Sequence, residues 1–241
     1  MDSSLKDPQE NILCDEALFR LAEQGGAGEI LRFWESPSAF IVLGRSGSYE
    51  KDCLGPAVRK DRIPVLRRCS GGGTVLQGPG CLNFTLVLSK ERDRQLDDIR
   101  KSYSWILARV IDVLARQNIS AVFKPISDLA VESVGREALK FSGNAQRRGR
   151  KFILHHGTIL YDFDLSLIER YLQLPQERPE YRRDRRHLDF VRNIALDRTV
   201  FFEDMRNIFQ LSVYIPMEFP LMNRMIYDLA DRDAGTVDIS A

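Results

Sequence analysis

Apolar residues recur every three to four positions in four segments of the chain, and this spacing predicts four helices. The segments cover residues 11–24, 96–117, 165–172 and 202–211. The second segment has the longest apolar stripe and is expected to lie against the core of the fold. The last ten residues show no such pattern and are expected to be disordered.

Other segments alternate between apolar and polar residues, or are apolar over a short length, as strands are. Residues 82–88 are the clearest case, with Leu82 and Phe84 on one predicted face and Asn83 and Thr85 on the other. Short breaks separate three consecutive strands in the second half, which predicts an antiparallel meander. The remaining predicted strands are 39–43, 63–66, 128–134, 138–146 and 152–161.

A glycine-rich stretch, Arg67–Phe84, lies between two of the predicted strands. Ser70 is followed there by three glycines, which disfavour helix and strand and leave the backbone open to contact by a ligand. Arg67 and Arg68 add positive charge that suits a phosphate or a carboxylate. A glycine-rich hairpin loop without a ligand is the simpler interpretation, but the two arginines and the serine favour a binding site.

Composition and charge restrict the class of protein. The chain has 241 residues, of which 44% are hydrophobic and 29% charged, and this suits one large globular domain. The net charge of +1 gives no general attraction to nucleic acid or to a membrane, so neither is predicted as a partner. No apolar run approaches the roughly 20 residues that span a bilayer. The first ten residues lack the features of a signal peptide, so a cytoplasmic protein is expected.

The four cysteines are candidates for metal binding, disulfide formation or catalysis. Cys14, Cys53, Cys69 and Cys81 are separated by 39, 16 and 12 positions. These spacings fit neither a zinc site nor a disulfide framework. Free thiols are therefore expected.

Two other clusters have more than one interpretation. His155 and His156 are adjacent on a predicted strand and should point to opposite faces, so they do not readily bind one metal ion, and no metal site is predicted. Residues 178–186 contain five arginines. A solvated loop and a docking patch for an acidic protein are both open interpretations of that run.

Four ordered blocks of residues resemble the lipoate–protein ligase A family. They are Arg67–Val75, with its three glycines, Ser127–Val131, Leu139–Gln146 and His155–Leu160. The segment Asn11–Leu18 also resembles the opening helix of that family. A single glycine motif is weak evidence, whereas four blocks in the same order and at similar spacing are specific.

The resemblance extends over about residues 10–195 and implies a fold. It implies an α/β (α+β) domain with mixed, largely antiparallel sheets and flanking helices, like the catalytic domain of class II synthetases and biotin ligases. Residues 1–195 are expected to form this domain, and residues 196–241 a short helical extension and tail. Because that extension is short for a full accessory domain, a separate accessory chain is one expectation, and activity without one is the other.

The resemblance also implies a reaction in two steps. Lipoate or octanoate is first activated with ATP and Mg²⁺ to an acyl-adenylate. The acyl group then passes to a lysine of a lipoyl carrier domain, which is expected to be an acidic protein.

Lys140 carries the strongest expectation for a single residue, because it matches the lysine of the family's motif. It would hold the carbonyl and phosphate oxygens of the acyl-adenylate as a point charge. Asp128 is expected on the nucleotide side, His156 in the wall of the site, and Gly157 at a point of close backbone approach. The residues expected to bind substrate or acyl-adenylate are Arg68, Ser70, Gly71, Gly72, Gly73, Thr74, Asp128, Ser142, Gly143, His156 and Gly157.

The sequence departs from the family pattern at two places. Ser127 replaces an Asn, which makes the adenine contacts less secure. Residues 77–81 read Gln-Gly-Pro-Gly-Cys, where ligases of the family have His-Asp-x-Gly-Asn and the Asn reaches the adenylate. The second departure removes a polar contact and places the thiol of Cys81 at that position.

Other functions remain open beside the ligase. A cysteine-dependent octanoyltransferase would take its acyl group from acyl carrier protein, with Cys81 or Cys69 as the nucleophile. The block in which such enzymes carry their cysteine aligns with 122–129, which contains none, so the ligase is favoured. A non-catalytic module that binds the carrier is the third hypothesis, and Lys140 argues against it. A biotin ligase is disfavoured, because the basic glycine motif of that family is absent.

Overall fold

The computed structural model describes residues 3–132, 135, 137–211, 226, 229 and 237. In this part of the chain, nine strands form two sheets. The strands are β1 (Ile30–Trp34), β2 (Phe40–Leu43), β3 (Val65–Arg67), β4 (Val75–Gln77), β5 (Cys81–Ser89), β6 (Ala121–Lys124), β7 (Asp128–Val131), β8 (Leu139–Arg148) and β9 (Phe152–Leu160).

The two sheets differ in size and in strand direction. The large sheet has six strands in the order β1-β5-β9-β8-β7-β6, and every neighbouring pair in it is antiparallel. The small sheet has the order β3-β2-β4, with β2 and β3 parallel and β2 and β4 antiparallel. The predicted meander is β7-β8-β9, and the predicted fold class of mixed, largely antiparallel sheets with flanking helices is confirmed.

Helices surround both sheets, and the longer ones begin at capping side chains. Asp98 caps α4 by accepting from the Lys101 amide, and Asp197 caps α7 by accepting from the amides of Thr199 and Val200. The helices are α1 (Pro8–Glu23), α2 (Tyr49–Asp52), α3 (Gly55–Asp61), α4 (Ile99–Ala115), α5 (Ser166–Tyr171), α6 (His187–Phe190) and α7 (Arg198–Phe209). Short 3₁₀ turns cover Lys90–Arg92, Arg94–Asp97 and Glu180–Arg182.

All four predicted helices and six predicted strands are present, with shifted ends. The helix predicted over 202–211 starts earlier, at Arg198, because Asp197 is its cap. Strand β1 was not predicted, since Arg32 interrupts its apolar run, and β4 was not predicted because it lies inside the glycine-rich stretch. Strand β6 and helices α2, α3 and α6 were also missed.

The first face of the large sheet is apolar and forms the main core with α4 and α7. Leu31 and Phe33 of β1 pack there beside Leu82, Phe84 and Leu86 of β5. Helix α7 contributes three fully buried side chains to the same cluster, which are those of Phe201, Met205 and Phe209. The predicted division after residue 195 stays a prediction, but the helix that follows it shares the core of the large sheet.

The second face of the large sheet lies under α1 and the small sheet, and it is polar only in its middle. At one end Val87 of β5 packs with α1, and at the other end Cys81 packs with residues of the small sheet and α5. Between them Asn83 and Thr85 are buried among polar partners. A buried polar band therefore crosses the sheet between two apolar ends.

The tail predicted to be disordered, 232–241, lies outside the described residues except for Val237, whose amide donates to the Val65 carbonyl. None of the helices in the described ranges is both long enough and apolar enough to cross a membrane.

Candidate functional site

The glycine loop, defined here as residues 69–74, takes its shape from the side chain of Arg68. The guanidinium donates from Nη2 to the carbonyl oxygens of Gly71 (2.7 Å) and Gly73 (2.8 Å). Its Nε donates to Ser70 Oγ at 3.0 Å, and its Nη1 reaches a main-chain oxygen of β2. Arg68 is buried, and burial lowers its pKa to about 10. The side chain thus stays positively charged at neutral pH inside the loop that it organises.

Two glycines are required by the path of this loop. Gly72 has a φ angle of +86°, a conformation that residues with a side chain rarely adopt. A Cβ atom at Gly44 would lie 2.0 Å from the carbonyl oxygen of Gly72, so the two backbones touch. On its other side, the Cβ position of Gly72 is 3.7 Å from the Cβ of Ala145 on β8. The loop is therefore fixed between the small sheet and the large one.

Among the described residues, no carboxylate balances the charge of Arg68. Within the described part of the chain, no carboxylate forms an ion pair with Arg68 or shifts its pKa. Burial of an unpaired charge is costly, and an anionic ligand would compensate for it. Arg67 has a different role from Arg68. Its Nη1 donates to the carbonyls of Gly44 (2.9 Å) and Gly47 (2.8 Å) and so stabilises the turn that contains these two glycines.

Ser70 connects the loop to a buried acid through a histidine. Its Oγ lies 2.6 Å from Nε2 of His156, whose Nδ1 lies 3.5 Å from Oδ2 of Asp15 on α1. Asp15 Oδ1 accepts from Arg32 Nη1 at 2.6 Å, and Asp15 Oδ2 accepts from Thr85 Oγ1 at 2.8 Å. Burial opposes ionisation of Asp15, but Arg32 and the hydrogen bond from His156 outweigh it and hold the pKa of this carboxyl below its usual value.

Lys140 and Asp128 form an ion pair at the edge of the same face. Lys140 Nζ lies 2.7 Å from Asp128 Oδ1, and the two side chains are 26% and 10% exposed. Tyr181 Oη donates to the other carboxylate oxygen, Oδ2, at 2.7 Å. Burial and the charge of Asp128 raise the pKa of Tyr181, so its hydroxyl remains a donor. Lys140 therefore stays partly exposed and is held by a carboxylate that is itself held by Tyr181.

The ion pair and the glycine loop are neighbours along β8. A Cβ atom at Gly143 would lie 3.1 Å from Lys140 Nζ, so the lysine lies over this glycine. Ala145, two residues further on, faces Gly72 of the loop. Residues two apart on a strand share a face and are separated by about 6.6 Å. Lys140 and the glycine loop thus lie over neighbouring residues of β8 on the second face, and the space between them is called the cleft here.

The remaining loop residues that were predicted to bind substrate have different surroundings. The Cβ positions of Gly71 and Gly73 have no heavy atom within 4 Å, so this side of the loop is open. Thr74 Oγ1 instead donates to Asp52 Oδ2 at 2.6 Å and ties the end of the loop to α2.

Two predicted site residues lie on the first face, away from the cleft. Ser142 is buried and accepts from Asn144 Nδ2 at 3.3 Å. A Cβ atom at Gly157 would lie 2.0 Å from Asn144 Oδ1 and 2.6 Å from the ring of Phe84. The close approach at Gly157 is therefore made by two side chains of the protein core, and packing explains why this position is a glycine.

The four cysteines are free thiols, as predicted. Cys69 follows Arg68 in the sequence, but burial, with Glu16 nearby, raises the pKa of its thiol to about 12. Cys81 is fully buried beside Phe163 and Tyr171, and burial raises the pKa of its thiol as well. Neither thiol is ionised at neutral pH, so neither is an activated nucleophile.

The prediction that His155 and His156 point to opposite faces of their strand is confirmed. His155 points into the first face, where it is fully buried and hydrogen-bonds to Gln146 and Asn144, while His156 points to Ser70 and Asp15. Burial lowers the pKa of His155 to about 3, so this ring is neutral. The two rings lie on opposite faces of β9 and belong to different networks.

The arginine run has two kinds of member. Arg182 is buried with its guanidinium 4.6 Å from the centre of the Phe190 ring, and Arg185 donates to the Ala138 carbonyl at 2.8 Å. Arg183 and Arg186 are 76% and 71% exposed and pair with surface glutamates. The interpretation of the whole run as a solvated loop is therefore wrong for two of its arginines, which are structural.

Three residues of the site were not predicted from the sequence. Asp15 lies within the opening helix of the family resemblance, but it was not singled out there. Arg32 is a charged residue inside an apolar strand, and this signal was available. Tyr181 lies in the arginine run and gives no signal of its own, because only the fold brings it to Asp128.

A cavity of about 620 Å³ opens beside Tyr181. Three glutamates, Glu132, Glu137 and Glu180, line it together with Lys124 and Arg183, which pair with Glu132 and Glu137. Both cations of the cavity are thus already paired with carboxylates, so the anion site is assigned to the glycine loop rather than to this cavity. In the described ranges, no group of three or more His, Cys, Asp or Glu side chains could hold a metal ion.

Comparison with known proteins identifies relatives. Residues 7–212 match the family model described as "Lipoyl protein ligase A/B catalytic domain". The lipoate-protein ligase A of Blochmanniella floridana is 30% identical over 170 residues, which cover 70% of this chain and 47% of that protein. The chain spans about half the length of the curated relatives it matches.

Solved structures share the fold. A bi-partite lipoate protein ligase of Thermoplasma acidophilum, studied with its E2 lipoyl domain, is 21% identical and gives a TM-score of 0.78 over 96% of this chain and 91% of that one. A lipoate-protein ligase A bound with ATP is also 21% identical, with a TM-score of 0.74 over 96% of this chain and 92% of that one. At these identities the likeness concerns the fold alone.

Proposed function

The chain belongs to the family of lipoyl protein ligase A/B catalytic domains, and we propose that it catalyses lipoate–protein ligation. In this proposal it activates lipoate or octanoate with ATP and passes the acyl group to a lysine of a lipoyl carrier domain. The observation that carries the proposal is the buried Arg68, whose charge has no carboxylate partner in the described part of the chain and whose side chain holds the glycine loop over the strand that carries Lys140.

In the first step the carboxylate of the acid attacks the α-phosphorus of ATP, and pyrophosphate leaves. Negative charge collects on phosphate oxygens, so fixed cations and N–H donors that face them lower the barrier. Arg68 and Lys140 would supply the charge, and the open side of the loop at Gly71 and Gly73 would admit the phosphate to the backbone. Mg²⁺ would enter with ATP, because Mg²⁺ is usually held by substrate phosphates and only one or two carboxylates. Asp128 is the carboxylate beside the cleft.

In the second step the amine of the carrier lysine attacks the acyl carbonyl, and AMP leaves. The carbonyl oxygen becomes negative in the transition state, which a neighbouring ammonium stabilises. Lys140 is suited to this role, because Asp128 and Tyr181 hold it at the cleft while leaving its ammonium partly exposed. The same lysine would therefore serve both steps as a point charge.

The thiols favour the ligase over the cysteine-dependent transferase. A transferase needs a thiolate that a thioester can reach. Cys81 is enclosed by apolar side chains, and burial raises the pKa of both candidate thiols. The adenylate route needs no thiolate and uses the cations that the cleft contains.

We propose that the carrier is an acidic protein that docks beside the cleft. Arg183 and Arg186 are strongly exposed and lie in the segment that also contributes Tyr181 to the site. Charges at the rim of an interface chiefly raise the association rate and suit a transient enzyme–substrate contact. The preference between lipoate and octanoate is not fixed by these features, so both acids belong in the test.

The test is incubation of the protein with lipoate or octanoate, MgATP and a lipoyl domain, with the mass of the domain as the readout. The proposal expects one acyl group on the domain only when ATP is present. A parallel reaction with octanoyl–acyl carrier protein and no ATP tests the transferase. Octanoylation in that reaction, with a thioester on Cys69 or Cys81, would contradict the ligase. No product in either reaction would support a non-catalytic module.

A further inference from the structure

A chain of polar contacts runs from Arg68, which holds the glycine loop, to Asp15 in α1, through Ser70 and His156. The three steps are Arg68 Nε to Ser70 Oγ at 3.0 Å, Ser70 Oγ to His156 Nε2 at 2.6 Å, and His156 Nδ1 to Asp15 Oδ2 at 3.5 Å. All four residues are buried or nearly so. Sequence comparison with a family singles out Ser70 and His156, but it assigns no role to Asp15.

When the His156 ring is neutral, the two ends of the chain fix the direction of its hydrogen bonds. A guanidinium can only donate hydrogen bonds, and an ionised carboxylate can only accept them. Because Ser70 Oγ accepts from Arg68, its own proton is free to be donated to His156 Nε2. His156 must then carry its proton on Nδ1 and donate it to Asp15. Every bond points the same way, from the cation to the acid, and such bonds strengthen one another.

We propose that Asp15 and His156 are positioning residues that set the direction of the hydrogen bond at Ser70 and so hold Arg68 and the glycine loop in their binding conformation. The inference rests on the proposed function for its catalytic consequence, but not for its structural content. Asp15 is suited to this task because Arg32 and Thr85 hold its carboxylate in place from the other sides. The helix α1 would thereby control the site without touching a substrate.

The other two histidines of the chain give an internal reference. Gln146 Nε2 donates to His155 Nδ1, since the Gln146 carbonyl oxygen already accepts from Ser102, so His155 carries its proton on Nε2. Arg182 Nη2 likewise donates to His187 Nδ1, so that ring also carries its proton on Nε2. His156 is therefore expected to be the one histidine of the three with its proton on Nδ1.

Asp15→Asn tests the direction of the chain with almost no change of shape. Arg32 would take the amide oxygen of the new side chain, which turns the NH₂ group towards His156. The ring then has to accept at Nδ1 and donate from Nε2, as happens when the acid behind a Ser-His pair is replaced by its amide. Ser70 Oγ would receive two donors and lose the acceptor of its own proton. Thr85→Val is the matched control, because it removes another hydrogen bond to Asp15 Oδ2 and leaves His156 paired.

The first measurement is the tautomer of each histidine in the full-length, ligand-free protein, from ¹⁵N chemical shifts of the imidazole nitrogens at a pH above their titration. His156→Gln assigns the signal. We expect the Nδ1–H form at His156 in the wild type and in Thr85→Val, and the Nε2–H form in Asp15→Asn. An Nε2–H form in the wild type, or no change in Asp15→Asn, would overturn the proposal. Because the wild type is informative alone, a variant that fails to fold does not remove the test.

The second measurement is acid-dependent exchange of pyrophosphate into ATP. Loss of one charge-assisted contact should raise the KM for the acid by about tenfold in Asp15→Asn with a smaller change in kcat, and Thr85→Val should change it by less than about threefold. A reversed tautomer with an unchanged KM would overturn the positioning role. Absence of exchange in the wild type would instead contradict the proposed function, and the tautomer measurement would still decide the direction of the chain.

Discussion

The two faces of the large sheet are formed by the same strands but differ in their surroundings, since one is an apolar core and the other contains the candidate site. On the first face, alternate residues of β5 such as Phe84 and Leu86 pack against α4 and α7 in an apolar core. On the second face the intervening residues, Asn83 and Thr85, are just as buried but are hydrogen-bonded. Burial alone therefore does not distinguish the residues of the core from the residues of the candidate site. The two groups differ in whether a buried side chain is surrounded by hydrogen-bonding partners.

The difference explains why alternation along β5 was a good guide to one face and a poor one to the other. A polar residue in a strand commonly indicates a solvent-facing side. Asn83 instead hydrogen-bonds to Gln77, and Thr158 contacts both of them in a closed triangle. Because polar groups must be paired when buried, such a triangle can replace solvent and still leave the strand fully enclosed.

The largest effect should come from the second face, at Lys140. We expect Lys140→Ala to abolish acyl transfer while the protein stays folded, because the side chain is partly exposed and makes an ion pair rather than core contacts. Loss of a contact to a developing oxyanion costs about 3–4 kcal/mol, or a hundredfold or more in rate. The measurement is single-turnover transfer to the carrier. Lys90→Ala is the control, since this lysine bonds the Gly149 carbonyl at the far end of the β8–β9 hairpin. Transfer near the wild-type rate in Lys140→Ala would remove the role assigned to this lysine.

Two glycines sharpen the comparison, one on each side of the sheet. Gly157→Ala would force a methyl group against Asn144 and Phe84 in the core, so we expect a loss of stability of about 1–3 kcal/mol. Gly71→Ala has open space around its Cβ position, so its stability should change little while activation of the acid weakens. Thermal unfolding and pyrophosphate exchange, measured on both variants, separate the two effects. A loss of stability in Gly71→Ala together with a loss of exchange activity in Gly157→Ala would contradict the assignment of the core to the first face and of the site to the second.

A smaller effect on acyl transfer is expected from the exposed arginines beside the cleft, Arg183 and Arg186. Arg183→Glu with Arg186→Glu should raise the KM for the carrier a few-fold at low salt and reduce its salt dependence, without changing the KM for the small acid. Arg182 is unsuitable for this test because it is buried against Phe190, and its replacement would disturb the fold. Carrier kinetics that do not respond at low salt would exclude these two arginines from docking.

The smallest effect should come from the thiols. Cys69→Ser and Cys81→Ser should retain most of the acyl transfer, because neither thiol is ionised at neutral pH. Cys81→Ser buries a hydroxyl among apolar side chains and should lower stability by about 1–2 kcal/mol, so activity is compared per folded molecule. Loss of transfer in either folded variant would favour the transferase.

The sequence predicted those features of the structure that depend on a single segment of the chain. The stripe of α4 and the alternation of β5 are local patterns, and both elements were predicted with small errors at their ends. The ion pair of Lys140 with Asp128 joins neighbouring strands, and both residues were predicted as members of the site. Tyr181 could not be predicted, because its contact with Asp128 depends on how a distant segment folds back over β7.

The glycines also show that a sequence does not reveal which distant residues will be in contact. Gly72 and Gly157 lie in motifs of equal prominence in the sequence, and both were predicted to line the site. One has a positive φ angle in the loop, and the other makes room for Phe84 in the core. The absence of a side chain is visible in a sequence, but the neighbour that requires the absence is not.

The central position of β9 in the large sheet has a consequence for synthesis of the chain. Strand β9 lies between β5 and β8, although both precede it in sequence. A nascent chain that has reached residue 151 can pair β1 with β5 and β7 with β8, but it still presents two unpaired strand edges. Exposed edges of this kind are sites of aggregation. Emergence of β9 from the ribosome closes both of these edges in one event and delivers His156 to its partners.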